Sequence, residues 1–424
     1  MKFGRVIIQK NWNDSLKVSF KRTFLSWSFQ HYRRFAIGAL VMNLGTWMNR
    51  IAQDWLIIQL TGSGLSLGII TGLQFAPAIF FSFYGGGLGD RHDKKKIMSI
   101  CSSFIALSGV VLALIVYKDM HNVLIVYTFA LVVGTFASID MPIRHSLMSD
   151  LVGEPNVPNA VSLNSVNFNV ARIIGPTLAG ITVHTLGVPA ALLASTSCYI
   201  FFAVLILRAR DSGQVSKDKD NDTTNFFAIS KFIWADKSIV KALIVIATVA
   251  SFGLNFPITT ALMAVNVFKL DAAGYGLLSS TIAIGALFGG LISANRNTRV
   301  PITKLAGTAM IFGVWQIGAG FSPNIICYSS MLALSGLFAL LTTIAINSLI
   351  QNHSPYAIRG KILGIYTVIF SGGMALGGPL IGFFADLLGP EDTLKLGGTS
   401  IVLISLFVIY SSVEFKLLKS RKRS

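Results

Sequence analysis

The chain predicts an all-α membrane protein with twelve transmembrane helices in two pseudo-symmetric six-helix bundles. Composition, run length and an internal echo carry that reading. Of 424 residues, 53% are hydrophobic and 12% charged, with a mean hydropathy of +0.66, whereas a soluble domain carries about 25% charge. Twelve apolar runs follow, at roughly 35–60, 65–89, 97–117, 123–145, 159–184, 188–208, 241–268, 272–295, 303–321, 325–350, 361–386 and 396–415. Each is near the ~20 residues that a spanning helix needs. The echo places Gly289-Gly290-Leu291 after Gly86-Gly87-Leu88, and Gly378-Pro379 with Gly382 after Gly175-Pro176 with Gly180, at one offset near 203. Two landmarks at one spacing read as a duplicated six-helix unit.

Residues 1–34 form a basic segment in which Phe20, Phe24, Trp27 and Tyr32 alternate with Lys21, Arg22, Arg33 and Arg34. That pattern suits an interfacial anchor on anionic lipid, or a plain basic tail for 1–18. It lacks the apolar core of a removable signal peptide. Residues 35–208 make the first bundle, 209–240 a polar cytoplasmic linker, 241–416 the second bundle and 417–424 a basic cytoplasmic tail. The net charge of +17 would suggest nucleic acid in a soluble chain, but here position matters more. Of 35 basic residues, Arg50 and Arg172 lie deep within spans and Lys118, Lys269 and Lys395 on odd-numbered hairpins, leaving 30 for the termini, the even-numbered loops and the span ends that adjoin them. The positive-inside rule then places both termini in the cytoplasm, with no nucleic-acid partner.

Span one carries Asn43, Trp47, Arg50 and Asp54 at steps of four, three and four, so all four share a helical face. Ionisable groups at this depth cost ~2.5–3.5 kcal/mol each and normally face a cavity or a partner. Either Arg50 and Asp54 neutralise each other as an i,i+4 pair, or Asp54 carries a proton or cation across. Span five places Ser165, Asn169 and Arg172 on one face, with Gly175-Pro176 a turn later as a helix-bending step and Asp54 or Asp140 as the acid for Arg172. In the second half the corresponding groups are neutral: Thr248, Ser251, Asn255 and Thr259, then Thr343, Asn347 and Gln351, then Thr367 and Ser371. Each serves as a helix-packing hydrogen bond or a ligand contact. Phe75, Phe256 and Phe338 could wall an apolar cavity. Cys101, Cys198 and Cys327 show no disulfide or metal spacing, so no metal or other cofactor is expected. No Walker loop, HExxH or paired catalytic carboxylates occur, which argues against ATP as the energy source and against an enzyme.

The loop Gly86-Gly87-Leu88-Gly89-Asp90-Arg91-His92-Asp93-Lys94-Lys95-Lys96 resembles the signature loop between the second and third helices of the major facilitator superfamily. Asn169 to Gly180 is similar to that family's Gly-Pro antiporter helix, with Ala179 where glycine is common. Leu60-Thr61-Gly62-Ser63 and Ala160 to Ser165 add similarity to the efflux branch containing macrolide exporters and the enterobactin exporter. The resemblance implies two bundles rocking about a midplane cavity. It also implies a cytoplasmic latch formed by Gly86, Gly89, Asp90, Arg91, Lys94 and Lys95, with Asp140 close to Arg91 and Lys94. One departure is the absence of Lys or Arg from Val123 to Ile139, where many drug/proton antiporters carry a basic residue.

The resulting expectation is a monomeric exporter of a drug-like compound or siderophore in the bacterial inner membrane, working by proton antiport with protons or another ion as partner. The alternatives are a proton-coupled importer of an anionic solute and a non-transporting sensor or scaffold.

Overall fold

The computed structural model describes residues 25–208, 226–294 and 300–421; the side chains of 82–86, 90, 226–228, 294, 356–357 and 414–421 lie outside that description. Thirteen α-helices follow in order: α1 Gln30–Thr61, α2 Gly64–Arg91, α3 Lys94–Tyr117, α4 Val123–Val152, α5 Val157–Leu207, α6 Phe226–Ala235, α7 Lys237–Thr248, α8 Phe256–Leu262, α9 Ala272–Ala294, α10 Ile302–Ala319, α11 Ile325–His353, α12 Tyr356–Leu388 and α13 Pro390–Arg421. No strand occurs among the described residues.

Among the described residues, nine segments are long and apolar enough to cross a membrane. At ~1.5 Å per residue the 51-residue α5 is about twice a bilayer's width. It breaks at Gly187, whose φ of 83° a residue with a Cβ would rarely adopt, and so crosses twice. Short α7 and α8 form one crossing joined by a π-helical turn, Val249–Gly253. With α1 and α10, whose polar residues lower their hydropathy, the crossings number twelve, as the sequence predicts.

Hairpin ends are set by short polar side chains. Ser63, Asp93, Asn122, Asp236 and Asn324 each accept a hydrogen bond from an amide two or three residues ahead, satisfying donors a helix start leaves open. Asp236 also accepts from His353 Nδ1 at 2.8 Å, joining the start of α7 to the end of α11. Burial works against its charge, but His353 and the Ser238 and Ile239 amides outweigh that and hold the carboxyl below its usual range.

Within the first half α1 packs on α5 and α2 on α4; within the second, α9 packs on α11 and α10 on α13. Two seams join the halves, α2 against α12 and α5 against α9. Large apolar side chains such as Leu114, Leu124, Phe288, Leu403 and Phe407 stay exposed, an unfavourable arrangement in water that hydrocarbon resolves.

Two expectations shift here. The first crossing starts at Gln30, inside the segment expected to precede it, and Tyr32 is fully buried, its hydroxyl donating to the Ala160 carbonyl at 3.0 Å. It is a core residue, not an interfacial anchor. Part of the expected linker is helix α6, while 209–225 lie outside the described residues.

Candidate functional site

The two seams are built where glycine removes the side chain. Along α2 and α12, Gly64 faces Gly382 and Gly68 faces Gly378, so a Cβ at any of them would strike the opposing backbone. Gly72 meets the Ala375 carbonyl and Pro379. The α5–α9 seam repeats the device: Gly180 faces Ala272, and Gly276 faces the Pro176 carbonyl. Both helices remain helical through Pro176 and Pro379. Pro176, Gly180, Gly378, Pro379 and Gly382 are therefore seam residues here, and the chain bends at Gly187 instead. Gly175 admits α1, since a Cβ there would lie 2.7 Å from that of Trp47.

Polar contacts fasten the seams near the hairpins that carry only Lys118, Lys269 and Lys395. Asp386 accepts from Ser63 Oγ at 2.7 Å and from the Gly64 and Leu65 amides, so an acid of one half caps the first turn of a helix in the other. His184 pairs with Asp271 at 2.7 Å across the second seam. Nearer the midplane, Ser280 donates to the Ile173 carbonyl at 2.5 Å.

Between the seams lies the stripe of α1. Two guanidinium groups lie over the ring of Trp47, Arg50 at 5.7 Å and Arg172 at 5.6 Å from its centroid, and Phe168 meets it edge-on. Arg50 also lies 4.8 Å from the Phe75 centroid and donates to Gln74 Oε1 at 3.0 Å. Each cation–π contact is worth about 0.5–2 kcal/mol, too little to replace a counter-ion for a midplane cation. Arg172 has no carboxylate against it among the described residues, contrary to the expected pairing with Asp54 or Asp140. Arg50 and Arg172 are both mostly buried, neither of them completely. They can receive carboxylate, phenolate or carbonyl oxygens from a bound molecule.

Asp54 is 1% exposed. The Tyr275 hydroxyl, from the second half, donates to its Oδ2 at 3.0 Å, while Oδ1 is buried with no hydrogen-bond partner. The expected i,i+4 ion pair is not formed, because Arg50 turns to Gln74. A buried carboxylate with one bare oxygen is costly unless it holds a proton.

The expected partners of Asp140 also differ. Asp140, 2% exposed, pairs with Arg144 one turn along α4, and Arg144 reaches Asn43 Oδ1 at 3.4 Å. Lys94 pairs with Asp150, Lys95 is buried, Arg91 is exposed, and Gly89 approaches Ile143 of α4. Gly86 and the side chain of Asp90 lie outside the described residues. The fourth crossing thus carries a basic residue after all, Arg144, beyond the stretch where it was sought. We expect Arg144→Leu to cost about 3–5 kcal/mol by stranding buried Asp140, and Asp140→Asn with Arg144→Gln to recover most of it, read as thermal unfolding in detergent. Equal losses in the single and double variants would contradict this.

Other candidates make hydrogen bonds within the chain. Asn169 donates to the Ser165 carbonyl, and Asn347 to the Thr343 carbonyl and the Tyr366 hydroxyl. Asn255 donates to Ala250 and Ser251 at the π-turn, satisfying carbonyls the broken helix leaves open. Sequence reasoning missed Tyr275, Gln74, Arg144, Asp386 and the His184–Asp271 pair. Arg144 alone had a local signal, its i,i+4 spacing from Asp140.

The sequence profile of the transmembrane secretion effector family matches residues 23–422. The chain is 24% identical over 392 residues to the Staphyloferrin A transporter of Staphylococcus aureus, covering 90% of this chain and 96% of that protein. It is 23% identical to the enterobactin exporter EntS of Citrobacter koseri, covering 87% and 84%. A crystal structure of a bacterial homolog of the human lysosomal transporter Spinster superposes with a TM-score of 0.71 at 14% identity, covering 92% and 97%. The profile match over nearly the whole chain and the transporter relatives make this a membrane transporter rather than an enzyme, and the chain belongs to the transmembrane secretion effector family of the major facilitator superfamily.

Proposed function

We propose that this chain is a monomeric secondary active exporter of a small organic molecule of the siderophore class, working by alternating access and proton antiport. Both termini lie in the cytoplasm, so the lysine-poor hairpins face outward and the fastened seams form a closed outer gate. One observation carries the reading: Asp54 lies inside that gate, buried between the halves with Oδ1 unpartnered. With the gate open the carboxyl is hydrated and takes a proton from outside; closure then buries a neutral acid at little cost. Burying the anion instead costs about 2.5–3.5 kcal/mol, so protonation favours closure by roughly two orders of magnitude. Release of the proton to the cytoplasm and loading of the substrate on the Arg50–Trp47–Arg172 group complete the exchange. The siderophore class is supported by the two relatives' names, and oxygen-rich ligands suit two guanidinium groups without acids.

That same charge favours a second reading. A protonated Asp54 leaves two cations on the site, so an anion and a proton bind together, the sign required for symport and uptake. Inverted and right-side-out membrane vesicles given enterobactin or staphyloferrin A as probes separate the two. The exporter accumulates probe in inverted vesicles with an acid lumen, and nigericin abolishes this. Accumulation only in right-side-out vesicles would establish the importer instead.

A further inference from the structure

Tyr275 is unusual in that it belongs to the second half yet serves a carboxyl of the first. It is fully buried, and its ring stacks on Trp55, the neighbour of Asp54, at 6.5 Å. The next residue, Gly276, makes the tight backbone approach to Pro176. Moving α9 away from α5 must therefore withdraw the phenol from the carboxyl. Gly68 and Gly276 occupy equivalent places in the two seams, so the counterpart of Tyr275 is Leu67, an apolar side chain. The phenol is present on one seam only, the one beside the ionisable group.

We infer that Tyr275 is a positioning residue that couples the protonation of Asp54 to closure of the α5–α9 seam. The inference rests on the reading of Asp54 as the proton carrier. The phenol donates to either form of the carboxyl, but more strongly to the anion, since charge-assisted hydrogen bonds are about twice as strong as neutral ones. It thereby lets the closed gate tolerate an ionised Asp54 long enough for the proton to leave inward. The other charged groups around Asp54 are engaged elsewhere: Arg50 on Gln74, Arg172 beyond Trp47, and Asp140 with Arg144 toward the opposite end of α4. The α2 group that holds Arg50 is neutral Gln74. Tyr275 is thus the side chain whose hydrogen bond reports both the gate and the proton.

The test needs no substrate. In a background with Cys101, Cys198 and Cys327 changed to alanine, Ser280→Cys buries a single thiol in the α5–α9 seam, where the native hydroxyl meets Thr177 and the Ile173 carbonyl, and a membrane-impermeant maleimide added outside reads how often the seam opens. Labelling should slow as external pH falls, because protonated Asp54 favours closure. Tyr275→Phe keeps the ring and its stacking while removing the donor. The closed state then tolerates the anion less well, so the ratio of alkaline to acid labelling rates should rise several-fold, up to about tenfold. A ratio unchanged by Tyr275→Phe, or rates scaled equally at every pH, would reduce Tyr275 to packing and overturn the inference. Asp54→Asn should flatten the pH dependence; if it does not, the proton-carrier reading fails, which is a different outcome. Thermal unfolding of each variant confirms that rates are compared between folded proteins.

Discussion

Asp54→Asn should leave a folded, inserted protein whose proton-driven flux falls by about two orders of magnitude while exchange of substrate for substrate persists. The amide has nearly the shape of the carboxyl, and Tyr275 can still donate to its oxygen, so the seam keeps its packing and its hydrogen bond. What disappears is the difference between two states of charge. With a carboxyl, the closed gate disfavours the anion by about 2.5–3.5 kcal/mol and accepts the neutral acid, and that difference ties gate position to proton binding. With an amide the gate behaves at all pH values as though protonated. Exchange needs only the loaded protein to move between its two orientations, so counterflow of labelled enterobactin or staphyloferrin A should survive. Accumulation against a gradient should not. Proton-driven accumulation at the wild-type rate in the asparagine protein would remove Asp54 from the mechanism and direct attention to the His184–Asp271 pair.

The residues involved show what one dimension records. Arg50, Asp54 and Arg172 stand out because a charged group in an apolar run is costly and must face a cavity, which is a property of the run itself. Their partners were not readable in the same way. Asp54 and Tyr275 are 221 positions apart, and a tyrosine in a Gly-rich apolar stretch looks like any core aromatic until α9 is placed against α5. The linkage of Asp140 to Arg144 is local, an i,i+4 spacing that lies just beyond the uncharged stretch Val123 to Ile139. The Gly-Pro pairs were visible as a repeat, and the repeat was genuine in packing: each lies in the corresponding seam of its half. Whether such a pair bends a helix or admits a neighbour depends on what stands opposite, and sequence spacing does not contain that. The twelve crossings were legible because bilayer thickness fixes helix length; the caps and the α7–α8 interruption fall where local polar groups, not hydropathy, decide.

Gly276→Val should hold the outer gate open. A Cβ at 276 collides with the Pro176 carbonyl and lies 3.2 Å from the Gly180 Cα, and these are backbone atoms of a packed helix that cannot rotate away as a side chain would. Overpacking of this kind costs about 1–3 kcal/mol, and only the closed state bears it, because in the open state α9 no longer touches α5. The population therefore shifts toward the open gate by roughly tenfold to a hundredfold. Three results should appear together. Maleimide labelling of Ser280→Cys becomes fast, its pH dependence weakens because protonation no longer suffices to close the seam, and net transport falls at least tenfold. Gly68→Val, which drives a side chain into the Gly378 backbone on the other seam, should give the same set. Gly307→Ala on α10, where a Cβ meets nothing within 4 Å, should not. If Gly276→Val transports normally and its seam labels no faster than the parent, the α5–α9 contact is not a gate, and the closed arrangement of Asp54 and Tyr275 is a fixed feature of the fold rather than one state of a cycle.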